Sequence, residues 1–85
     1  MAIELLYFAR IREAIGRSAE TVSPPAPVST IAALIDWLAE RGGGYAEAFA
    51  DPSRVRAAIG DSFVPPDAPI VAAREIALFP PVTGG

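Results

Sequence analysis

The chain contains no cysteine, no histidine and no lysine, and all seven of its basic residues are arginine. Each absence removes a class of chemistry. Without cysteine there is no disulfide framework, no thiolate nucleophile and no thiolate metal ligand; without histidine the commonest general base and metal ligand is gone. Without lysine there is neither a P-loop nor a Schiff base. Aromatic residues make up only 8%, and no apolar run approaches the roughly 20 residues that a membrane-spanning helix needs. The opening Met1-Ala2-Ile3-Glu4 lacks the basic region of a secretory signal. A net charge of −3 opposes binding to a phosphate backbone, which calls for a basic face. Together these absences predict a soluble, cytoplasmic protein that uses no metal and binds neither nucleic acid nor membrane.

What is present is a chain of 85 residues, 52% hydrophobic and 20% charged, enough for one core over residues 1–85 and no second domain. Residues 2–8 place Ile3, Leu5 and Tyr7 on one face and Glu4, Leu6 and Phe8 on the other, the pattern of a central strand apolar on both sides toward its end. Gly16 breaks the run, and residues 19–23 are predicted to return antiparallel, with Arg10, Arg12 and Glu13 in the hairpin loop. In that loop Arg10 and Arg12 either sit solvated or dock an anion or a partner's acidic group. Pro24, Pro25 and Pro27 stop the second strand, and Ser29 or Thr30 offers a helix cap. Ile31, Leu34, Ile35 and Leu38 then recur at i, i+3, i+4 and i+7, a single apolar helical stripe. Burying each side chain of that stripe is worth about 1.5–3 kcal/mol before chain entropy is counted. Gly42-Gly43-Gly44 ends this helix, and Tyr45 and Phe49 stand four apart in a short helical turn that packs beside the core. Residues 54–59 read as a third strand turned by Gly60-Asp61-Ser62. Pro65, Pro66 and Pro69 restrict the next segment to loop or edge strand, and residues 74–79 form the last strand. The class is α+β: a mixed sheet of four to five strands with one long helix on one face.

The ten carboxylate side chains do not converge on a metal or acid–base site. Asp36 and Glu40 stand i, i+4 on the long helix, but both lie off its apolar stripe and read as a solvated face. The C-terminus differs. Phe79-Pro80-Pro81-Val82-Thr83-Gly84-Gly85 carries no side-chain charge, and its two prolines hold the root extended. At ~3.3 Å per residue the tail reaches about 20 Å from the sheet. Glycines without Cβ pass through a narrow tunnel and leave the terminal acyl carbon open to attack, which makes the Gly85 α-carboxylate the one candidate reactive group. At ~7% glycine a Gly-Gly end arises by chance in about one chain in two hundred, so the tail alone leaves a reactive end and a frayed or trimmed one as equal alternatives.

Leu6-Tyr7-Phe8-Ala9-Arg10-Ile11-Arg12-Glu13, the trailing Gly16 and the terminal Pro-Pro-Val-Thr-Gly-Gly resemble the small subunits of molybdopterin synthase, the MoaD type of ubiquitin-like sulfur carrier. The resemblance spans the whole chain in element order. It departs at Ala73-Arg74-Glu75, where Gly-Asp-Glu is usual, and around Gly60-Asp61, where an asparagine often stands. It implies a β-grasp (ubiquitin-like) fold with a flexible diglycine tail and no cofactor bound by the chain itself. It further implies that Gly85 is adenylated by an E1-like, MoeB-type enzyme using ATP and converted to a thiocarboxylate by a sulfur donor. Pro80, Pro81, Val82, Thr83 and Gly84 then thread the MoaE-type large subunit, where sulfur passes to a cyclic pyranopterin precursor of the molybdenum cofactor. Alternatives are a related carrier serving thiazole or another thiolated product, a protein modifier, or a binding module with an inert tail. Strand parity adds a surface: if Ile3, Leu5, Tyr7, Ile76 and Leu78 face the helix, then Leu6, Phe8, Ala77 and Phe79 face outward as an apolar patch at the root of the tail. That patch is the expected partner interface.

Overall fold

The computed structural model describes residues 2–81. Strands β1 (Ile3–Tyr7), β2 (Ala19–Val22), β3 (Arg56–Ile59), β4 (Ser62–Val64) and β5 (Glu75–Phe79) form one mixed sheet in the order β2-β1-β5-β3-β4. The central pair, β1 and β5, is parallel and the remaining pairs are antiparallel. Helices α1 (Ala9–Ile15), α2 (Ile31–Ala39) and α3 (Gly43–Ala48) complete the fold, with a 3₁₀ turn at Pro52–Arg54.

Alternation decides the layers. Ile3, Leu5 and Tyr7 of β1 and Ile76 and Leu78 of β5 are all buried, and they pack against Ile31, Leu34, Ile35 and Leu38, the apolar stripe of α2. The Thr30 hydroxyl accepts a hydrogen bond from the Ala33 N–H at 3.2 Å, so Thr30 is the cap of α2. Phe49 joins the core at 2% exposure, as its spacing from Tyr45 predicts.

Several boundaries differ from the sequence expectation. Arg10, Arg12 and Glu13 lie in α1 and not in a hairpin loop: Ile11 turns inward and is buried, and Gly16, at φ +89°, ends the helix with its N–H on the Arg12 carbonyl. The third strand starts at Arg56, because the Asp51 carboxylate accepts from Ser53 N–H at 3.1 Å and fixes a 3₁₀ turn that takes up Arg54; Val55 is extended, as expected, but stands before the strand. The turn after β3 closes at Gly60, φ +59°, so that Ser62 opens a fourth strand ahead of the prolines. The second strand stops at Val22 and the last opens at Glu75, each one residue inside its predicted range. The long helix is nine residues and ends at Ala39, ahead of the glycines, two of which start α3.

Glu20 holds the edge of the sheet to the helices. Its side chain accepts from the Tyr7 hydroxyl at 2.7 Å, the Tyr45 hydroxyl at 2.5 Å and Arg41 Nη1 at 3.1 Å, with Arg17 Nη1 at 3.4 Å. The Arg41 guanidinium also lies 5.1 Å from the Trp37 ring and 5.0 Å from that of Tyr45. Burial alone pushes the Glu20 carboxyl up, but the hydrogen bonds from Tyr45, Tyr7 and Arg41 outweigh it and hold the group below its ordinary value of 4.5. A depressed carboxyl stabilises the fold at pH values above 4.5, and this contribution is lost as pH falls through the lower folded value. Glu20→Gln is therefore expected to cost about 1–2 kcal/mol at neutral pH. Melting curves of the two proteins should converge as the pH is lowered below 4.5; a gap independent of pH would show that the charge of Glu20 is not what stabilises the network.

Candidate functional site

The register of the five strands assembles the outer face. Ala19, Leu6, Ala77, Ala58 and Phe63 stand side by side across β2, β1, β5, β3 and β4. Two residues further along the strands, Phe79 is in register with Arg56, and Phe8 continues β1 by donating its N–H to the Leu78 carbonyl at 3.2 Å. The structure thus brings together all four residues assigned to the patch: Leu6 and Ala77 are adjacent and half-buried, Phe79 is half-buried, and Phe8 is 46% exposed.

Phe63 belongs to the same face and was not anticipated. It is 81% exposed, and its ring stacks at 5.6 Å and 47° on Phe79. A three-residue strand gives too little alternation to reveal its facing, although a phenylalanine next to a turn and two prolines was itself a signal. With Arg56, Ala57 and Val64, these two rings line a groove of about 240 Å³ beside the last residue of β5. Pro80 and Pro81 follow the strand and are half-buried. Val82, Thr83, Gly84 and Gly85, the rest of the predicted tail, lie outside the described residues.

The other candidates separate from this face. Arg10 lines a cavity of about 300 Å³ together with Arg54, Glu47 and Asp51, so both signs of charge meet there. Arg12 is exposed on α1. Asp36 and Glu40 are exposed, in agreement with a solvated helix face. Among the described residues no three acidic side chains gather as metal ligands, and no helix is long and apolar enough to cross a membrane. Among the described residues, the outer face and its last strand therefore combine exposure, apolarity and aromatic anchors.

A sheet of this order, gripping one principal helix, is the β-grasp of ubiquitin-like domains. Two solved structures share it: SAMP1 from Haloferax volcanii, with a TM-score of 0.71 at 22% identity over 100% of both chains, and a putative molybdopterin converting factor, subunit 1, from Pyrococcus furiosus, with a TM-score of 0.74 at 24% identity over 96% of this chain and 99% of that one. At these identities the likeness is one of fold. The sequence goes further: the chain belongs to the ThiS family, which matches residues 5–85. It is 37% identical to the molybdopterin synthase sulfur carrier subunit of Escherichia coli (strain K12), over 98% of this chain and 99% of that protein. The protein of the same description from Haemophilus influenzae is 32% identical over the same shares. The resemblance to MoaD-type carriers seen in Leu6–Gly16 and Phe79–Gly85 is borne out.

Proposed function

We propose that this chain is the sulfur-carrying small subunit of a molybdopterin synthase, with the Gly85 carboxylate as its working group. One observation supports this reading above the others: the exposed apolar face converges on the strand that runs into the uncharged Pro80–Pro81 root, while among the described residues no group of acidic side chains gathers to hold a metal. The chemistry then follows from what a carboxylate lacks. It is a poor acyl electrophile, and the sequence has no nucleotide-binding motif with which to improve it. An E1-like partner supplies the activation. The carboxylate oxygen attacks the α-phosphorus of ATP and expels pyrophosphate; a hydrosulfide equivalent from a sulfur donor then displaces AMP and leaves a C-terminal thiocarboxylate. In the large subunit the thiocarboxylate sulfur attacks a side-chain carbon of the pterin precursor and displaces an oxygen substituent from it; water then adds to the acyl carbon and cleaves the acyl carbon–sulfur bond, leaving the sulfur on the pterin as a thiolate and regenerating the Gly85 carboxylate. The chain has no cysteine or lysine of its own to intercept the activated end.

The same outer face serves the large subunit and the activating enzyme in turn. Replacing Phe79 by arginine is expected to weaken the complex with the large subunit by about 30-fold or more, the loss typical of an aromatic anchor. Because Phe79 sits on the outer face, away from α2, the variant keeps its fold and its melting temperature changes little. Titration calorimetry beside circular dichroism separates the outcomes: unchanged affinity, or a collapsed fold, contradicts the assignment of faces.

A further inference from the structure

The outer face is polarised along its strands. Glu4 and Glu75 are in register on the parallel strands β1 and β5, and both are exposed. The ion pairs among the described residues are those of Glu20 with Arg17 and Arg41, so neither glutamate has a cationic partner there. Like charges side by side on adjacent strands repel, and the isolated domain gains nothing from this pair. Two residues along comes the apolar row of Leu6, Ala77 and Ala58; two further along, Arg56 stands beside Phe79. Arg56 donates through Nη1 to the Ser53 and Val55 carbonyls, which leaves most of its five donor hydrogens available. Along the strands, the backbone positions of the acidic pole and of Arg56 stand about 13 Å apart, four residues at ~3.3 Å.

An apolar band supplies affinity but accepts many rotations of a partner, whereas charged poles at its two ends select one. A tail that must enter a tunnel requires that single orientation. We propose that Glu4 and Glu75 receive a basic side chain of the large subunit, and that Arg56 meets an acidic one, so that charge sets the rotation at which the tail is presented. This inference rests on the outer face being the docking face. Its occupant is a protein surface of opposite polarity, basic where β1 and β5 begin and acidic where β5 ends.

The double variant Glu4→Gln/Glu75→Gln tests it, because stability and binding should move in opposite directions. Relief of the repulsion is expected to raise the melting temperature of the free chain by about 1–2 °C. Affinity for the purified large subunit is expected to fall about tenfold at low salt, with the difference from the wild type shrinking as salt is added. Unchanged affinity and salt dependence overturn the proposal, as does a melting temperature that falls together with affinity, which marks a merely structural pair. Phe79→Arg is measured alongside. If it binds normally, the docking face itself is wrong; if it binds weakly while the glutamine variant binds as the wild type does, only the charged poles are wrong. Salt-sensitive self-association of the free chain, abolished in the glutamine variant while heteromeric binding persists, assigns the face to a second copy and also overturns the proposal.

Discussion

Deleting Gly85 is expected to yield a fully folded chain whose sulfur transfer falls at least about 100-fold. The buried core runs from Ile3 to Leu78, so folding does not call on the last residue. The shortened chain still ends in a glycine carboxylate, Gly84, which makes the test one of reach more than of chemistry. One residue is ~3.3 Å of extended chain, and a misplacement of even about 1 Å at a reacting atom costs on the order of 100-fold in rate. On the proposed mechanism the shortened end then stops short of the reacting group in each partner. Single-turnover thiolation of the precursor, measured with chains confirmed folded by circular dichroism, gives the result. If the shortened chain turns over at the wild-type rate, the length of the tail does not set the placement of the reacting end, and Gly85 itself is not required.

The second large effect is structural. Gly44 lies where α3 crosses α1, and a Cβ built there overlaps the Ala14 carbonyl oxygen while standing 2.9 Å from the Ala14 carbonyl carbon and 3.0 Å from the Ile15 Cα. All three obstacles are backbone, so no rotamer change relieves them, and the helices must separate. Separation loosens the packing around Ile11 of α1 and Phe49 just after α3, both 2% exposed. Overpacking of this kind costs about 1–3 kcal/mol or more, a large share of the 5–15 kcal/mol that holds a small domain together. Gly44→Ala is therefore expected to lower the melting temperature by about 10 °C or more, at the 4–8 °C per kcal/mol typical of this size. An unchanged melting temperature would show that α1 and α3 do not meet at this glycine. Below its own transition the variant should bind the large subunit normally, since Gly44 is remote from the outer face.

What could be read in advance was what a short repeat records. The alternation in β1 and β5 fixed both the inward set, Ile3, Leu5, Tyr7, Ile76 and Leu78, and the outward set, Leu6, Phe8, Ala77 and Phe79, because strand parity is a local property. The stripe of α2 and its Thr30 cap were legible for the same reason. Helix α1 was not: it has seven residues, barely two turns, opens at Phe8 without a side-chain cap, and begins with Ala9 at φ +51°, a conformation alanine rarely adopts. Glu20 looked like an ordinary edge-strand charge because its principal partners, Tyr7, Arg41 and Tyr45, lie 13 to 25 residues away in sequence. The charged ends of the outer face were hidden likewise, since Glu4 and Glu75 become neighbours only when β5 inserts beside β1. The tail is the opposite case, in which the terminal motif carried the functional reading and the fold supplied the platform beneath it.

The most direct test weighs the intact chain after incubation with the adenylating enzyme, ATP and a sulfur donor. A gain of about 16 Da, one oxygen exchanged for sulfur, is expected on the fragment ending at Gly85, and it should disappear when the large subunit and pterin precursor are added. A chain that never gains this mass, or one whose terminus is blocked as an amide and still delivers sulfur, would contradict the account.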